Sequence, residues 1–291
     1  IMNCKEPYPD MGIFSDFLYG GDANLDIPFE SMKLEKNYSM PPEGKAKLER
    51  KLKEEISKDF ITPLVTWEEC RIEFPRLRVH PMGLIPKSRR DRQMKRDGIL
   101  ENIRWRTISD MKKKLMDGWS INLASGSFGT IKLPQGNRLL DLISAAQEKC
   151  RKHGLDPRGL VLVKWDMWSA YRNFRISLAD RWAFGFTFEG KYGVHKSWPF
   201  GNVASVYNFL RFPLMLVWYL GQQDQFITSS EAAMYFDDLI VLAHESKMQA
   251  AARAVGRIFS NWRIPRQEEK FLSENANGLR GTSRGVILGH M

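Results

Sequence analysis

The sequence predicts an α+β fold: an antiparallel sheet with helices on one face. Three observations predict it. From about residue 155 the segments run strand, hairpin, helix, strand–turn–strand, helix, strand, without the regular βαβ alternation of a parallel sheet. The strand segments are short and rich in β-branched and aromatic residues, as in "LVLVKWDM" (160–167). The chain has 291 residues, 43% hydrophobic and 27% charged, which suffices for a sizeable core and one or two domains.

The elements follow in order. Residues 1–40 are rich in Asp, Pro, Gly, Asn and Ser without periodicity and read as an extended arm or loop. From Pro42, Leu48, Leu52, Ile56 and Phe60 recur every four residues among Lys and Glu, which predicts a helix that Pro63 ends. "HPMGLIPK" (80–87) predicts a strand carrying a turn, and "RWRTISDM" (104–111) a second strand. Between them lies a basic run of Lys87, Arg89, Arg90, Arg92, Lys95, Arg96 and Arg104, so the pair reads as a basic hairpin. A charge run is commonly a solvated face; flanked by strands it favours a finger facing phosphates.

A helix is predicted over about 136–152, with Leu139, Leu140, Leu142, Ile143 and Ala146 inward and Gly154 as its stop. The strand 160–167 ends on Asp166. A hairpin follows, with Trp182, Phe184, Phe186 and Phe188 alternating on one face, "EGK" turning and "YGVHKSW" returning. After Gly201 an apolar helix runs to about 221 with Pro213 inside it, a kink signal. "MYFDDLIVLA" (234–243) reads as strand–turn–strand, and 246–261 as an amphipathic helix with Met248, Ala252, Val255 and Phe259 inward. "GVILGHM" reads as a last strand.

Lys plus Arg number 44 against 34 Asp plus Glu, giving net charge +10. That excess favours a polyanionic partner, nucleic acid first and an anionic membrane surface second, beside its plain role in solubility. Cys4, Cys70 and Cys150 are odd in number and scattered, which argues against a disulfide framework and fits a reducing, intracellular compartment, cytoplasm or nucleus. The cysteines and five histidines show no zinc-ligand spacing. No signal peptide and no run of 18 apolar residues is legible, so no membrane partner is expected.

Asp237 and Asp238 stand side by side within an apolar stretch. Adjacent carboxylates repel, and burying either one unpaired costs several kcal/mol. Alone, Asp–Asp is a turn signal. A strand-end Asp166 changes its meaning, because a strand end can lie beside the tip of a neighbouring hairpin in an antiparallel sheet. Three convergent carboxylates are hard oxygen donors suited to Mg²⁺ and to two-metal phosphoryl transfer.

These segments resemble, in order, the fingers and palm of reverse transcriptases from retroelements, most of all those of DIRS-type retrotransposons, retroviruses and pararetroviruses. "HPMGLIPK" with "RWRTISDM" is similar to the finger hairpin, "VKWDMWSAYRNFRI" to motif A, "WPFGNVASVYNFLR" to motif B and "MYFDDLIVLA" to motif C. "NWRIPRQEEKF" is similar to motif D and "GVILGH" to motif E, the primer grip. The resemblance implies a right-hand polymerase, with residues 80–154 as fingers and 155–291 as palm; residues 1–79, an N-terminal arm and helix, stay unassigned. It implies an RNA-directed DNA polymerase, a nucleotidyltransferase that extends a primer with dNTPs on RNA and DNA template-primers.

Asp166, Asp237 and Asp238 would be the catalytic metal ligands for two Mg²⁺ ions, with Mn²⁺ as a substitute. Lys87 and Arg106 would hold the triphosphate, and Lys270 would lie near the pyrophosphate. Tyr171 would crowd a 2′-hydroxyl and select deoxynucleotides. Phe200 and Gly201 would form the template and nucleotide pocket, Phe200 matching the Phe of DIRS-type elements where retroviruses carry Gln. Arg172 and Trp168 receive no role. The finger hairpin departs from the family by the insertion "RDRQMKRDGILEN", and no thumb, ribonuclease H, integrase or recombinase segment is legible, so the chain reads as part of a longer protein or a reduced enzyme. Two alternatives stay open: an idle, nucleic-acid-binding module on this fold, and an RNA-dependent RNA polymerase.

Overall fold

The computed structural model describes residues 8–26, 30–34, 36–99, 103–126, 136–167, 169–222, 230–235 and 237–264, with Asp166 described by its backbone. Its helices and strands run α1 (Gly12–Tyr19), α2 (Pro42–Ser57), α3 (Trp67–Glu73), β1 (Val79–His80), β2 (Met82–Pro86), α4 (Arg89–Arg96), β3 (Trp105–Ser109) and α5 (Ile121–Ala124). They continue with α6 (Gly136–Lys152), β4 (Leu160–Asp166), β5 (Gly185–Phe188), β6 (Lys191–Val194), α7 (Val203–Gly221), β7 (Ser230–Tyr235), β8 (Asp238–His244) and α8 (Glu245–Asn261). The α+β class expected from the sequence is what is observed. Two compact units divide the chain: residues 1–11, 130–170 and 209–291 form one, and 12–129 with 171–208 the other.

The first unit carries a three-stranded antiparallel sheet in the order β4-β8-β7. Strand β8 is central, and Leu239 through Ala243 are all buried, so both of its faces are withdrawn from water. Helix α6 packs against all three strands and α8 against β8 and β4. The inward residues expected for α8, Met248, Ala252, Val255 and Phe259, are buried. Helix α6 differs: Ala146 and Cys150 are buried, but Leu140 is 63% exposed rather than inward. Its packed stripe is set by Ala146 and Cys150, four residues apart, and Leu140 falls off it.

The second unit holds two small sheets. Strand β1 runs parallel to β5, and β5 and β6 form a hairpin whose turn residues Glu189 and Gly190 both have positive φ, as a tight two-residue hairpin requires. Phe186 and Phe188 lie in this hairpin, whereas Trp182 and Phe184 precede it in a 3-10 turn, Arg181–Phe184. The regular alternation expected across all four is therefore confined to the last two, and Thr187 between them is buried as well. Strands β2 and β3 form a separate two-stranded ribbon.

The described residues of 12–79 are built into this second unit, with Gly21, Leu25 and Met32 bridged to Ile176, Ser125 and Arg78, rather than forming an arm. Helix α1 buries Ile13 and sets Phe17 against Phe174, ring centroids 5.6 Å apart. Helix α2 packs Leu48 and Leu52 against Met82, Phe186 and Phe188. It stops at Ser57, ahead of Phe60 and Pro63, because Asp59 enters the left-handed region (φ 58°). Helix α3 begins with a Thr66–Glu69 capping box and sends Cys70, with Phe74 just past its end, into the main core with Trp182, Phe184 and Trp198. Burial pushes the Cys70 thiol up to about 11, which leaves it inert. Helix α7, with Pro213 inside it, is long and apolar enough to cross a membrane, though more than half of its residues are buried within the protein.

Candidate active site

The acidic positions meet through strand register. Asp166 ends β4, and its backbone lies directly opposite Asp238, the first residue of β8. Tyr235 pairs with the same Asp238, so a two-residue connection containing Asp237 joins β7 to β8. The Met167 N–H donates to the Asp237 carbonyl at 3.0 Å, which ties the end of β4 to that connection. Thus Asp238 belongs to the strand rather than to the turn expected from sequence. Both Asp237 and Asp238 are half-buried. Among the described residues no group of three metal-ligating side chains is gathered, and the Asp166 carboxylate lies outside that description.

In the second unit the β2–β3 ribbon carries the basic positions. The register pairs Ile85 with Arg106 and Pro86 with Trp105, and the Lys87 N–H extends the ladder to the Arg104 carbonyl at 2.8 Å. Directly opposed residues, and residues two apart, share a face of a strand pair. Ile85, Lys87, Arg104 and Arg106 therefore line one face, and all four are exposed. Lys87 and Arg106 form no ion pair among the described residues, whereas Arg104 contacts Asp91 at 3.4 Å.

The same unit brings Tyr171, Phe200 and Gly201 together. Tyr171 follows β4 by five residues, in a 3-10 turn (Ala170–Asn173), and packs partly buried against the main core. Its ring meets Phe200 edge-on, with centroids 4.9 Å apart and planes at 76°. Phe200 stays 44% exposed, so this edge-to-face pair presents an aromatic surface to solvent. Asn122 holds the loop beneath it: its Nδ2 donates to the Gly201 carbonyl at 2.8 Å, and its Oδ1 accepts from the Val203 N–H and Asn202 Nδ2 at 3.0 Å. Asn202 caps α7 by accepting from the Ser205 N–H, and the Ser205 hydroxyl donates to the Pro199 carbonyl at 2.8 Å.

Gly201 has φ 106°, and a Cβ there would sit 2.4 Å from the Ser109 carbonyl oxygen at the end of β3. Both facts demand glycine. Gly201→Ala is expected to destabilise the chain by about 2 kcal/mol or more. Urea unfolding checks it; unchanged stability would contradict the close approach of the two backbones.

Behind Tyr171 runs a buried polar chain. Arg172 pairs with Glu55 of α2, and its Nη1 donates to the Ser197 carbonyl at 2.9 Å and to His195 Nδ1 at 3.1 Å. A guanidinium only donates, so Nδ1 is the bare nitrogen, and Nε2–H donates to the Ser109 hydroxyl at 3.1 Å. Burial, then the Arg172 charge and His80, holds His195 well below the ordinary histidine pKa. Burial and the Arg78 charge bring His80 down to about 3. Arg78 itself is fully buried and forks onto Asp117 at 2.6 and 3.2 Å.

These two neutral histidines set a pH dependence. The unfolded chain binds a proton on each near pH 6.5 and the folded chain does not, so stability is full above that value and lost as pH falls. Each contributes a slope of roughly 1.4 kcal/mol per pH unit below it, until its folded pKa is reached. Thermal melts between about pH 7 and pH 5 should show a steadily falling midpoint. A flat profile would contradict the assignment.

Lys270, Trp168 and the motif E segment lie outside the described residues, and of motif D only residues 261–264 are described. Asn122, Glu55, His195 and Ser109 were not singled out from sequence. Asn202 alone carried a usable signal, a capping residue just ahead of an apolar helix.

No protein-family model and no curated protein matches the chain. Solved structures do. The native prototype foamy virus protease–reverse transcriptase aligns with TM-score 0.52 and 16% identity, over 82% of this chain and 25% of that one. Its selenomethionine-labelled CSH mutant aligns with TM-score 0.55 and 15% identity, over 82% and 25%. The foamy viral protease–reverse transcriptase dRH in complex with ds DNA aligns with TM-score 0.53 and 12% identity, over 89% and 34%. The chain therefore has a reverse-transcriptase-like fold, and spans a quarter to a third of the length of these structures.

Proposed function

We propose that the chain is the fingers and palm of an RNA-directed DNA polymerase from a retroelement, of the DIRS-type, retroviral and pararetroviral kind. The β4-β8-β7 sheet belongs to its palm, and the β2–β3 ribbon to its fingers. One observation carries the reading: the register that sets Asp166 opposite Asp238, with Asp237 in the adjoining connection, on a reverse-transcriptase-like fold.

The donor set fits Mg²⁺, since adjacent carboxylates are hard oxygen ligands whose mutual repulsion a divalent cation offsets. Asp166, Asp237 and Asp238 would hold two such ions, which supply charge neutralisation and activation of the attacking oxygen. The chain's own residues do the rest. Lys87 and Arg106, on one exposed ribbon face, neutralise the triphosphate as negative charge builds on the leaving pyrophosphate. The primer 3′-hydroxyl gives up its proton to solvent as its oxygen forms the bond to the α-phosphorus, and the bond from that phosphorus to the oxygen bridging it to the β-phosphate breaks, releasing pyrophosphate. Lys270 would serve near the departing pyrophosphate, as the resemblance to motif D implies. Tyr171, braced edge-on by Phe200, underlies the sugar and leaves no room for a 2′-hydroxyl.

Primer extension on RNA and DNA templates, with dNTPs and rNTPs compared, tests this. The wild-type chain is expected to add deoxynucleotides and discriminate against ribonucleotides. Tyr171→Val should admit ribonucleotides, with discrimination reduced by about tenfold or more, as removal of a steric wall implies. A wild-type chain that prefers rNTPs would make it an RNA polymerase. Salt-dependent RNA binding indifferent to the carboxylates, with no incorporation, would make it a binding module.

A further inference from the structure

The start of the insertion that lengthens the finger hairpin lies in α4 (Arg89–Arg96), whose surface is not explained by nucleotide addition. The helix presents five exposed cations over eight residues: Arg89, Arg90, Arg92, Lys95 and Arg96. Arg89, Arg92 and Arg96 recur at i, i+3 and i+7, so they stack in one row along the helix. An open hollow along this surface is lined by the five cations with Pro86 and Gln93.

This row does not serve the fold. Asp91 is the one buried residue of α4, and the helix sends no large apolar side chain into a core. Arg89 and Arg90 stand in the first turn, where the positive end of the helix dipole disfavours cations. Neighbouring arginines three and four apart repel one another. Nearby acids are committed elsewhere. Asp91 forms the capping box with Ser88 and accepts from the Arg104 N–H at 3.2 Å, contacts that hold its carboxyl down to about 2. Asp97 accepts from Gln93 at 2.8 Å. Among the described residues, none of the five cations has an acidic partner. A solvated surface helix would intersperse both signs; this one concentrates positive charge at a cost that a polyanion would remove.

Two features select the partner. An interfacial helix needs large apolar residues on its other face, and α4 offers only the half-buried Met94, so a lipid surface is disfavoured. Beside the row, the half-buried Trp105 ring lies 5.5 Å from the Lys95 ammonium. Cations lining an aromatic platform are the signature of single-stranded nucleic-acid binding.

We infer that α4 is a docking surface for the phosphate backbone of a single nucleic-acid strand, with Arg89, Arg92 and Arg96 on successive phosphates. The helix is about 12 Å long, which matches roughly three phosphates. The inference takes its nucleic-acid partner from the proposed function but assigns a surface apart from Lys87, Arg106 and the acids.

The test is fluorescence anisotropy with a short labelled single-stranded oligonucleotide, a duplex of the same length, and vesicles containing an anionic lipid. The variant R89Q/R92Q/R96Q is compared with K45Q/R50Q/K53Q, which removes equal charge from α2. The α4 variant is expected to bind the single strand about tenfold or more weakly and to flatten the log-affinity against log-salt slope by about 2, at roughly 0.7 per phosphate contact. The α2 variant should leave both nearly unchanged. Equal losses in both variants, an unchanged α4 variant, preference for the duplex, or α4-dependent binding of vesicles alone would each overturn it. Thermal melts of both variants verify folding. Binding is scored without nucleotide addition and repeated with Asp238→Asn. No incorporation by the wild-type chain, with α4-dependent binding intact, therefore refutes the polymerase reading alone, and incorporation by the wild-type chain without α4-dependent binding refutes only the docking surface.

Discussion

Replacing Asp238 with Asn is expected to reduce nucleotide incorporation by about a thousandfold or more while leaving the fold intact. An amide keeps the carboxylate's shape but removes its charge, and the loss of several kcal/mol of charge stabilisation at a phosphoryl-transfer centre corresponds to that factor. Stability should change little. Asp238 is half-buried and Asn is nearly isosteric with it, so the melting midpoint should stay close to that of the wild type. Function lost while stability is kept is the mark of a residue retained for chemistry. An Asp238→Asn chain that incorporates normally, or that unfolds, would contradict this role.

The second large effect concerns the fold around Tyr171. Arg172→Met is expected to cost about 3–5 kcal/mol, the usual consequence of breaking a buried ion pair by removing one partner. Glu55 is 6% exposed, and its other cation, Lys51, sits 3.6 Å away on the rim. The substitution also strips hydrogen-bond donors from the Ser197 carbonyl and His195 Nδ1. Lys should rescue little, because an ammonium cannot reproduce the planar fork that reaches Glu55, His195 and Ser197 together. The double variant Glu55→Leu, Arg172→Met should recover part of the loss by removing both charges. Urea denaturation of the three chains measures this; a single variant within about 1 kcal/mol of wild type would show that the buried pair carries no net structural weight.

Much of the candidate site was legible because it is local. "MYFDD" and "VKWDM" carry their acids at the ends of apolar strands, and pairing β4 with β8 aligns two of those ends. Tyr171 and Phe200 were marked by motif, and their contact follows from elements that the fold brings together. What stayed hidden depends on distant partners. Glu55 looked like one more solvated glutamate on an amphipathic helix, yet it pairs with Arg172, 117 positions away. Asn122 sits in a segment without periodicity, and its role depends on a loop some 80 residues later. The basic finger was legible as charge, but its helix was not, because eight residues with no apolar stripe give no 3.6-residue signal. Helix α1 was hidden for a similar reason, with Ile13 its one buried residue.

The most direct test of the central claim is single-nucleotide primer extension on an RNA template by wild-type chain and Asp166→Asn, with Mg²⁺ and again with Mn²⁺. Addition of the templated deoxynucleotide by the wild type, abolished in the variant, is the predicted result. No addition by the wild type with either metal, or equal addition by both chains, would contradict it.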